Sequence, residues 1–236
     1  MFLLSSVLSL ALAGLAVAQN QTVNVNVGGV ASRGENIFMF SPNTITAQVG
    51  DVVRFNFSGS PGNHSITQST FQNPCQPMPG GFDSGWVFIP ENGLPPDSDP
   101  IWNLTITNTS APIWFFCKQL VPMPHCTTGM VGAINAPTSG DNTFQNYVSN
   151  ANKDSSPGQG IGALVGNGAS ASAVPGPIDT SLGANYAGSP APTPVSASGS
   201  GGASPTTTGS GSNAASQLRM DAILYLGAIA AVGLFA

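Results

Sequence analysis

The sequence predicts an all-β sandwich. Short segments alternate apolar and polar residues, turn-forming Gly, Pro, Asn and Ser separate them at short intervals, and two N-glycosylation sequons fall on the polar phase of those segments. Successive strand side chains point to opposite faces, so a period of two marks a half-buried strand. A run of such segments punctuated by turns marks a sandwich.

The elements follow in chain order. "TVNVNV" at 22–27 alternates strictly, "ITAQV" at 45–49 has strand composition, and "VVRFNF" at 52–57 puts Val53, Phe55 and Phe57 on one face. In "IWNLTIT" at 101–107, Trp102, Leu104 and Ile106 share a face, and "PIWFFC" at 112–117 is a fifth apolar run. The sequon residues Asn56 and Asn103 sit on the polar side of their strands, where a glycan projects into solvent. "DNTFQNYVSNA" at 141–151 has Asp141 as an N-cap and Phe144, Tyr147 and Val148 at helical spacing, so one short helix closes the domain.

The two ends predict a secreted, lipid-anchored protein. Residues 1–18 are an uncharged apolar run closing on Ala16-Val17-Ala18, the small-x-small pattern of a signal peptide. Residues 222–236 form a second apolar run. A polar spacer precedes it, and before that lie the small residues Gly211, Ser212 and Asn213, which makes them the candidate attachment sites of a GPI anchor. A tail-anchored helix is the rival reading, but the run is short for a span. Five sequons, at Asn20, Asn56, Asn63, Asn103 and Asn108, agree with passage through the secretory route.

Composition changes near residue 150. From Asp154 to Ala215 there is no Lys, Arg, Phe or Trp and a single Tyr186, amid Ser, Gly, Ala, Pro and Thr. Such a segment buries too little apolar surface to offset its ordering entropy, so residues 152–213 are expected to form a disordered stalk. The expected organisation is signal peptide 1–18, folded domain 19–151, stalk 152–213 and anchor propeptide 214–236. The whole chain has ten acidic and five basic residues with no basic cluster, which gives nucleic-acid binding no support. Membrane contact is expected through the glycolipid.

The scarce soft-ligand residues gather in "WFFCKQLVPMPHCTTGM" at 114–130. Three cysteines, Cys75, Cys117 and Cys126, leave one outside any disulfide pair, either as an inert buried thiol or as a metal-bound thiolate. His64 and His125 are the only histidines. Two imidazoles, one thiolate and a weak thioether make a blue copper electron-transfer site, and Cys117, His125 and Met130 are spaced to converge from a strand end, a loop and the next strand. Two histidines are too few for a multicopper oxidase. A zinc hydrolase needs an open water position and a nearby base. Taken singly, a lone His or Met is a packing residue; Met123 and the three tryptophans, Trp86, Trp102 and Trp114, read that way.

The same stretch resembles the ligand loop of the cupredoxins, and His125-Cys126 followed by Gly129-Met130 is similar to the phytocyanin branch. "FSPNTITAQVGDVVRFNF" and "NHSITQSTFQNPC" resemble the first half of that family, and the whole layout resembles fungal GPI-anchored, extracellular serine-rich proteins. The resemblance implies a cupredoxin-like Greek-key β-sandwich holding one type 1 copper on His64, Cys117, His125 and Met130. It also implies a Cys75–Cys126 disulfide, whose loop closure is worth about 4 kcal/mol in the chain-entropy model. The seven residues between Cys117 and His125 exceed the plant spacing, and Pro122 and Pro124 limit the freedom of that longer loop.

The expectation is therefore a non-enzymatic electron carrier at the cell surface, with an unnamed redox partner there and His125 as the electron's exit. A structural or adhesive wall module is the rival from another class, with cell-wall polysaccharide as its partner. Copper capture or buffering on the same site is a third reading. A glycan on Asn63, beside His64, would crowd the metal rim, so that sequon is expected to be unused or to restrict access.

Overall fold

The computed structural model of the chain describes residues 19–188. The expected signal peptide, the stalk beyond residue 188, the anchor candidates Gly211, Ser212 and Asn213, and the apolar tail lie outside the described residues. The chain runs through β1 (Thr22–Val27), β2 (Phe40–Ser41), β3 (Thr44–Ile45), β4 (Val52–Asn56), β5 (Gly62–His64), β6 (Thr67–Ser69), β7 (Trp86–Ile89), β8 (Ile101–Ile106), β9 (Ile113–Phe116) and β10 (Val131–Ile134). One helix, α1 (Phe144–Ala151), and two further strands, β11 (Ala169–Ala171) and β12 (Asn185–Ala187), complete it. The all-β class with one short helix is as expected.

Two sheets form the sandwich. One has the order β11-β8-β4-β1-β2 and the other β3-β10-β9-β6, while β12-β7-β5 makes a smaller third sheet. Strict alternation is obeyed where one face meets the core: Val25, Val27, Val53, Phe55, Trp102, Leu104 and Ile106 are all buried. Register brings Phe55 opposite Trp102 and Val53 opposite Leu104 across the antiparallel pair β4–β8. Across the layers the Phe55 ring meets Phe115 edge-on at 5.5 Å, and Phe40 meets Phe115 at 5.1 Å. Each fully buried Phe contributes about 2 to 3 kcal/mol relative to leaving it in water.

β9 does not alternate, for a reason visible in the packing. All four of its residues are buried. Phe115 faces the sandwich core, and Trp114 and Phe116 belong to a second apolar cluster with Val131, Ala133, Tyr147 and Ala151. The helix α1 covers that second face, so β9 reads as a continuous apolar run, as strands buried on both faces do. Gly132 on β10 makes room for the Phe115 ring, since a Cβ there would lie 2.2 Å from Phe115 Cζ.

Three expectations need correction. The helix begins at Phe144 with Thr143 as its N-cap, not Asp141: Thr143 Oγ1 accepts the Asn146 N–H at 3.3 Å. The strand expected over 45–49 stops at Ile45, because the Asn135 side-chain amide takes both the Ala47 N–H and C=O at 2.9 Å, in place of a neighbouring strand. Ordered structure also runs past residue 151, well into the region expected to be a disordered stalk. β11 pairs antiparallel with β8, β12 with β7, and Leu164, Ala169 and Ala184 are buried. The Gln68 amide donates to Asn167 O at 2.7 Å and accepts the Asn167 N–H at 3.0 Å, and Trp102 Nε1 donates to Ala173 O at 2.9 Å. This segment has little apolar surface of its own; it is held by backbone groups that complete hydrogen bonds offered by the domain.

Asp51 ties the start of the fold together. Its Oδ1 accepts the Gln21 N–H at 2.8 Å and its Oδ2 the Gln48 N–H at 2.7 Å, and these two bonds, the first the stronger, hold its carboxyl below the usual carboxylate range. The depressed pKa gives stability that is present above the unfolded-state value of about 4 and is lost as pH falls through it toward the folded value. Denaturant titrations from pH 6 down to pH 2 are expected to show this acid loss, and Asp51→Asn should flatten it. A chain ended at residue 151 is expected to be less stable than one ended at 188 by about 3 kcal/mol or more, since it forfeits β11, β12 and the burial of Leu164; equal denaturation midpoints would contradict the ordered role of 152–188.

Candidate metal centre

The centre lies where β9 leaves the sheet and β10 enters it. Cys117 follows β9, and its N–H donates to Met130 O at 3.1 Å, so the two residues bracket the loop between the strands. The loop folds back on itself: His125 N–H donates to Gln119 O at 2.9 Å, and Met130 N–H donates to His125 O at 3.0 Å. A 3₁₀ turn (Cys126–Thr128) carries the chain from His125 to Met130 and ends at Gly129, whose φ of 99° lies in the region glycine tolerates best. His64 enters from the end of β5, where it pairs with Val87 of β7.

These elements bring His64, Cys117 and His125 together. Cys117 Sγ lies 3.4 Å from His125 Nδ1 and 3.8 Å from His64 Nδ1, and the two rings stand 5.1 Å apart with 50° between their planes. All three ligand atoms fall within 4.8 Å of one another. The Ser65 N–H points at the sulfur from 3.4 Å. Met130 is fully buried in the same apolar cluster as Cys117, tied through its backbone to both Cys117 and His125. Cys117 is the free cysteine, and a disulfide joins Cys75 to Cys126, holding the residue next to His125 against the segment after β6.

Electrostatics suit a soft cation. Burial pushes the His64 pKa down to about 3, with His125 adding to the effect, and burial pushes His125 down to about 4. Both imidazoles are therefore neutral near pH 7, with lone pairs free to coordinate. Burial pushes the Cys117 thiol up to about 11, so it ionises near neutrality only if a cation takes the place of its proton. One cysteine sulfur and two imidazole Nδ1 atoms this close together, with the buried Met130 bonded through its backbone to Cys117 and His125, fit copper.

His64 is the more enclosed of the two imidazoles. Its Nε2 is buried with no hydrogen-bond partner among the described residues, and a Cβ at Gly28 or Gly62 would lie 2.6 or 2.5 Å from that atom. His125 packs against the half-buried Phe38 at 4.6 Å and is itself only 3% exposed, so the imidazole expected to be the electron's exit is covered. What the loop does present to solvent is Val121 and Met123, at 69% and 45% exposure. Met123 thus points away from the packing role expected of it. Trp102 and Trp114 are buried, whereas Trp86 is half-buried.

The sequon residues divide by exposure. Asn20, Asn103 and Asn108 are exposed, Asn56 is half-buried, and the half-buried Asn63 spends its Nδ2 on Gln119 Oε1 at 3.1 Å. Gln119 in turn donates to Val121 O at 2.9 Å, so Asn63 braces the ligand loop. Neither Phe38 nor Gly28 carried a motif, and each acts through a long-range approach that spacing does not encode; Gln119 lies inside the ligand stretch, but its contact with Asn63 spans fifty-six residues.

The chain matches no protein-family profile. Among curated proteins it is 36% identical over 185 residues to "Probable GPI-anchored cupredoxin-1" of Arthroderma benhamiae, covering 77% of this chain and 82% of that protein. The chain belongs to the GPI-anchored cupredoxin family. A second relative from the same organism, "Extracellular serine-rich protein", is 35% identical over 142 residues, 58% of this chain and 47% of its own length. Both names agree with the cell-surface location expected from the two ends. Solved structures similar to this cupredoxin include plastocyanin of Dryopteris crassirhizoma (22% identity, 48% of this chain and 97% of that one, TM-score 0.31) and a pseudoazurin from Sinorhizobium (19%, 55% and 91%, 0.31).

Gly62→Ala is expected to lower the thermal midpoint and to cost about 1 to 3 kcal/mol, because the added methyl overlaps the His64 ring in a packed site. Glycopeptide mapping of the secreted cupredoxin is expected to find Asn63 unmodified while Asn103 and Asn108 carry glycans; a fully occupied Asn63 would show that its bond to Gln119 is dispensable.

Proposed function

We propose that this cupredoxin is a cell-surface one-electron carrier whose single copper is held by His64, Cys117, His125 and Met130. The observation that carries the reading is the convergence of two neutral imidazole Nδ1 atoms on the buried Cys117 Sγ. Copper bound there would alternate between Cu(II) and Cu(I), exchanging one electron without making or breaking bonds to a substrate.

The residues of the chain supply the rest. His64 and His125 would give the two nitrogen ligands and Cys117 the thiolate, with Met130 as the weak thioether ligand that favours the reduced state. The Ser65 N–H withdraws charge from the sulfur. The disulfide at Cys126, the loop bonds around His125 and the glycines at His64 resist displacement, which keeps the rearrangement between oxidation states small. Four protein donors leave no position for a substrate, which supports a carrier rather than an enzyme. The signal peptide at 1–18 would export the chain and be removed, and a glycolipid near Gly211–Asn213 would hold the domain at the outer face of the membrane, within reach of a redox partner in the wall or membrane.

Burial of both imidazoles favours a second reading, copper retention without a redox partner, since a closed site releases its ion slowly. Visible and electron paramagnetic resonance spectra after Cu(II) addition, with Cys117→Ser alongside, test the copper site. An intense blue band with narrow copper hyperfine splitting, lost in the variant, is expected. Copper binding indifferent to Cys117 would sink both readings and leave the wall-module role. If the site is blue, stopped-flow oxidation by small inorganic complexes separates carrier from store: exchange in milliseconds supports transfer, and exchange over minutes supports retention.

A further inference from the structure

Immediately after Cys117 the chain buries a cation. Lys118 is 1% exposed, and its Nζ forms an ion pair with Asp83, which is fully buried. Nζ also donates to Gly160 O at 3.2 Å and stands 4.0 Å from the centre of the Trp86 ring. Taking two charges out of water is costly, and a fold that does so near a reactive centre commonly obtains a fixed geometry from it.

The carboxylate of Asp83 organises three segments. Its Oδ1 accepts the Thr67 hydroxyl at 3.1 Å and the Gly85 N–H at 2.9 Å, and its Oδ2 accepts the Gly162 N–H at 3.0 Å besides Lys118. The Asp83 backbone adds its own N–H to Ala163 O at 2.6 Å. Residues 160–163, from the stretch whose composition suggested a stalk, are thereby bound to the residue that follows Cys117.

The hydrogen bonds have one consistent direction. A paired carboxylate only accepts, so Thr67 Oγ1 donates to it and keeps its lone pairs for the Ser65 hydroxyl, 3.1 Å away. Ser65 Oγ accepts the Lys118 backbone N–H at 3.0 Å, and the Ser65 N–H points at Cys117 Sγ. The chain of bonds from Asp83 through Thr67 and Ser65 thus ends on the sulfur, and Lys118 closes it from the other side.

We propose that Asp83 and Lys118 are positioning residues of the metal centre: their buried pair holds the Ser65 N–H on the Cys117 sulfur and, by tying residues 160–163 to the residue that follows it, keeps the surround of that buried thiol from opening. The copper arm of the test rests on the proposed function; the thiol arm does not. Asp83→Asn alone strands the Lys118 charge and invites unfolding. The informative variants are therefore Asp83→Asn/Lys118→Met, which leaves no buried charge and keeps an acceptor oxygen, and Thr67→Val, which cuts the relay with both charges intact.

In the metal-free full chain, the rate at which an aromatic disulfide reagent modifies Cys117 is expected to rise roughly tenfold or more in the double variant, beyond what its global unfolding constant accounts for. In the copper-loaded Thr67→Val chain, measured well below its lowered thermal midpoint, the sulfur-to-copper band and the reduction potential are expected to shift while the circular dichroism of the fold is unchanged, which a purely structural role would not produce. A Cys117 as inert in the double variant as in the wild type overturns the proposal, as does a Thr67→Val protein with wild-type band and potential. If the wild type takes up copper without a blue band, the electron-carrier reading falls alone, and the thiol rates still decide the positioning role.

Discussion

Cys117 lies fully buried with the imidazole nitrogens of His64 and His125 at 3.8 and 3.4 Å, and keeping three polar donors together away from water is the constraint that the rest of the structure serves. The three do not satisfy one another fully: His64 Nε2 is buried with no hydrogen-bond partner among the described residues, and the thiol has one proton to share between two ring nitrogens. Only a tightly determined surround keeps such a group closed. The surround comes from every direction: Ser65 N–H on the sulfur, Gly28 and Gly62 against His64, Phe38 against His125, and the Cys75–Cys126 disulfide one residue beyond.

The sandwich makes this closure affordable by rigidity elsewhere. β9 delivers Cys117 from a position buried on both faces, between Phe115 in the main core and Trp114 and Phe116 under α1. The pairing of Cys117 with Met130 fixes where the loop starts and stops, and the Gln119, His125 and Met130 backbone bonds leave little freedom between. The long loop, which exceeds the plant spacing, therefore projects its surplus residues, Val121 to Met123, outward and leaves the ligand His125 inside.

How much of this was legible depended on the range of the interaction. β1, β4 and β8 were plain because alternation is local and their outer faces meet solvent. β9 was plain as an apolar run, although its double burial was not. β5 and β6 carry few alternating apolar residues: β6 is Thr67–Ser69, all polar and all buried, so its burial rests on partners such as Asp83 and Tyr147. β7 is apolar at all four positions, so its alternation shows only in burial, with Val87 and Ile89 inward. The strand expected at 45–49 was cut short by one side chain, Asn135, eighty-eight residues away. The ligand set was readable from the scarcity of His and Cys and from family resemblance. Gly28, Phe38 and Asp83 were not, because nothing in their local sequence distinguishes them from loop residues, and Lys118, although inside the ligand stretch, gave no sign that it is buried against Asp83 thirty-five residues earlier.

Residues 152–188 show the same division most clearly. Their composition describes an entropy that must be overcome, and on composition alone the segment stays unfolded. Gln68, Asp83 and Trp102 of the domain offer donors and acceptors that only the folded sandwich presents, and the segment orders upon them. The sequence by itself determined the strand alternation, the two apolar ends, the odd cysteine and the order of the four soft donors, all of which are properties of neighbours along the chain. Tertiary structure alone decided that ordered structure continues past residue 151, that both histidines lie inside, and that a buried Asp83–Lys118 pair stands behind Cys117, because each follows from groups brought together across many residues of chain.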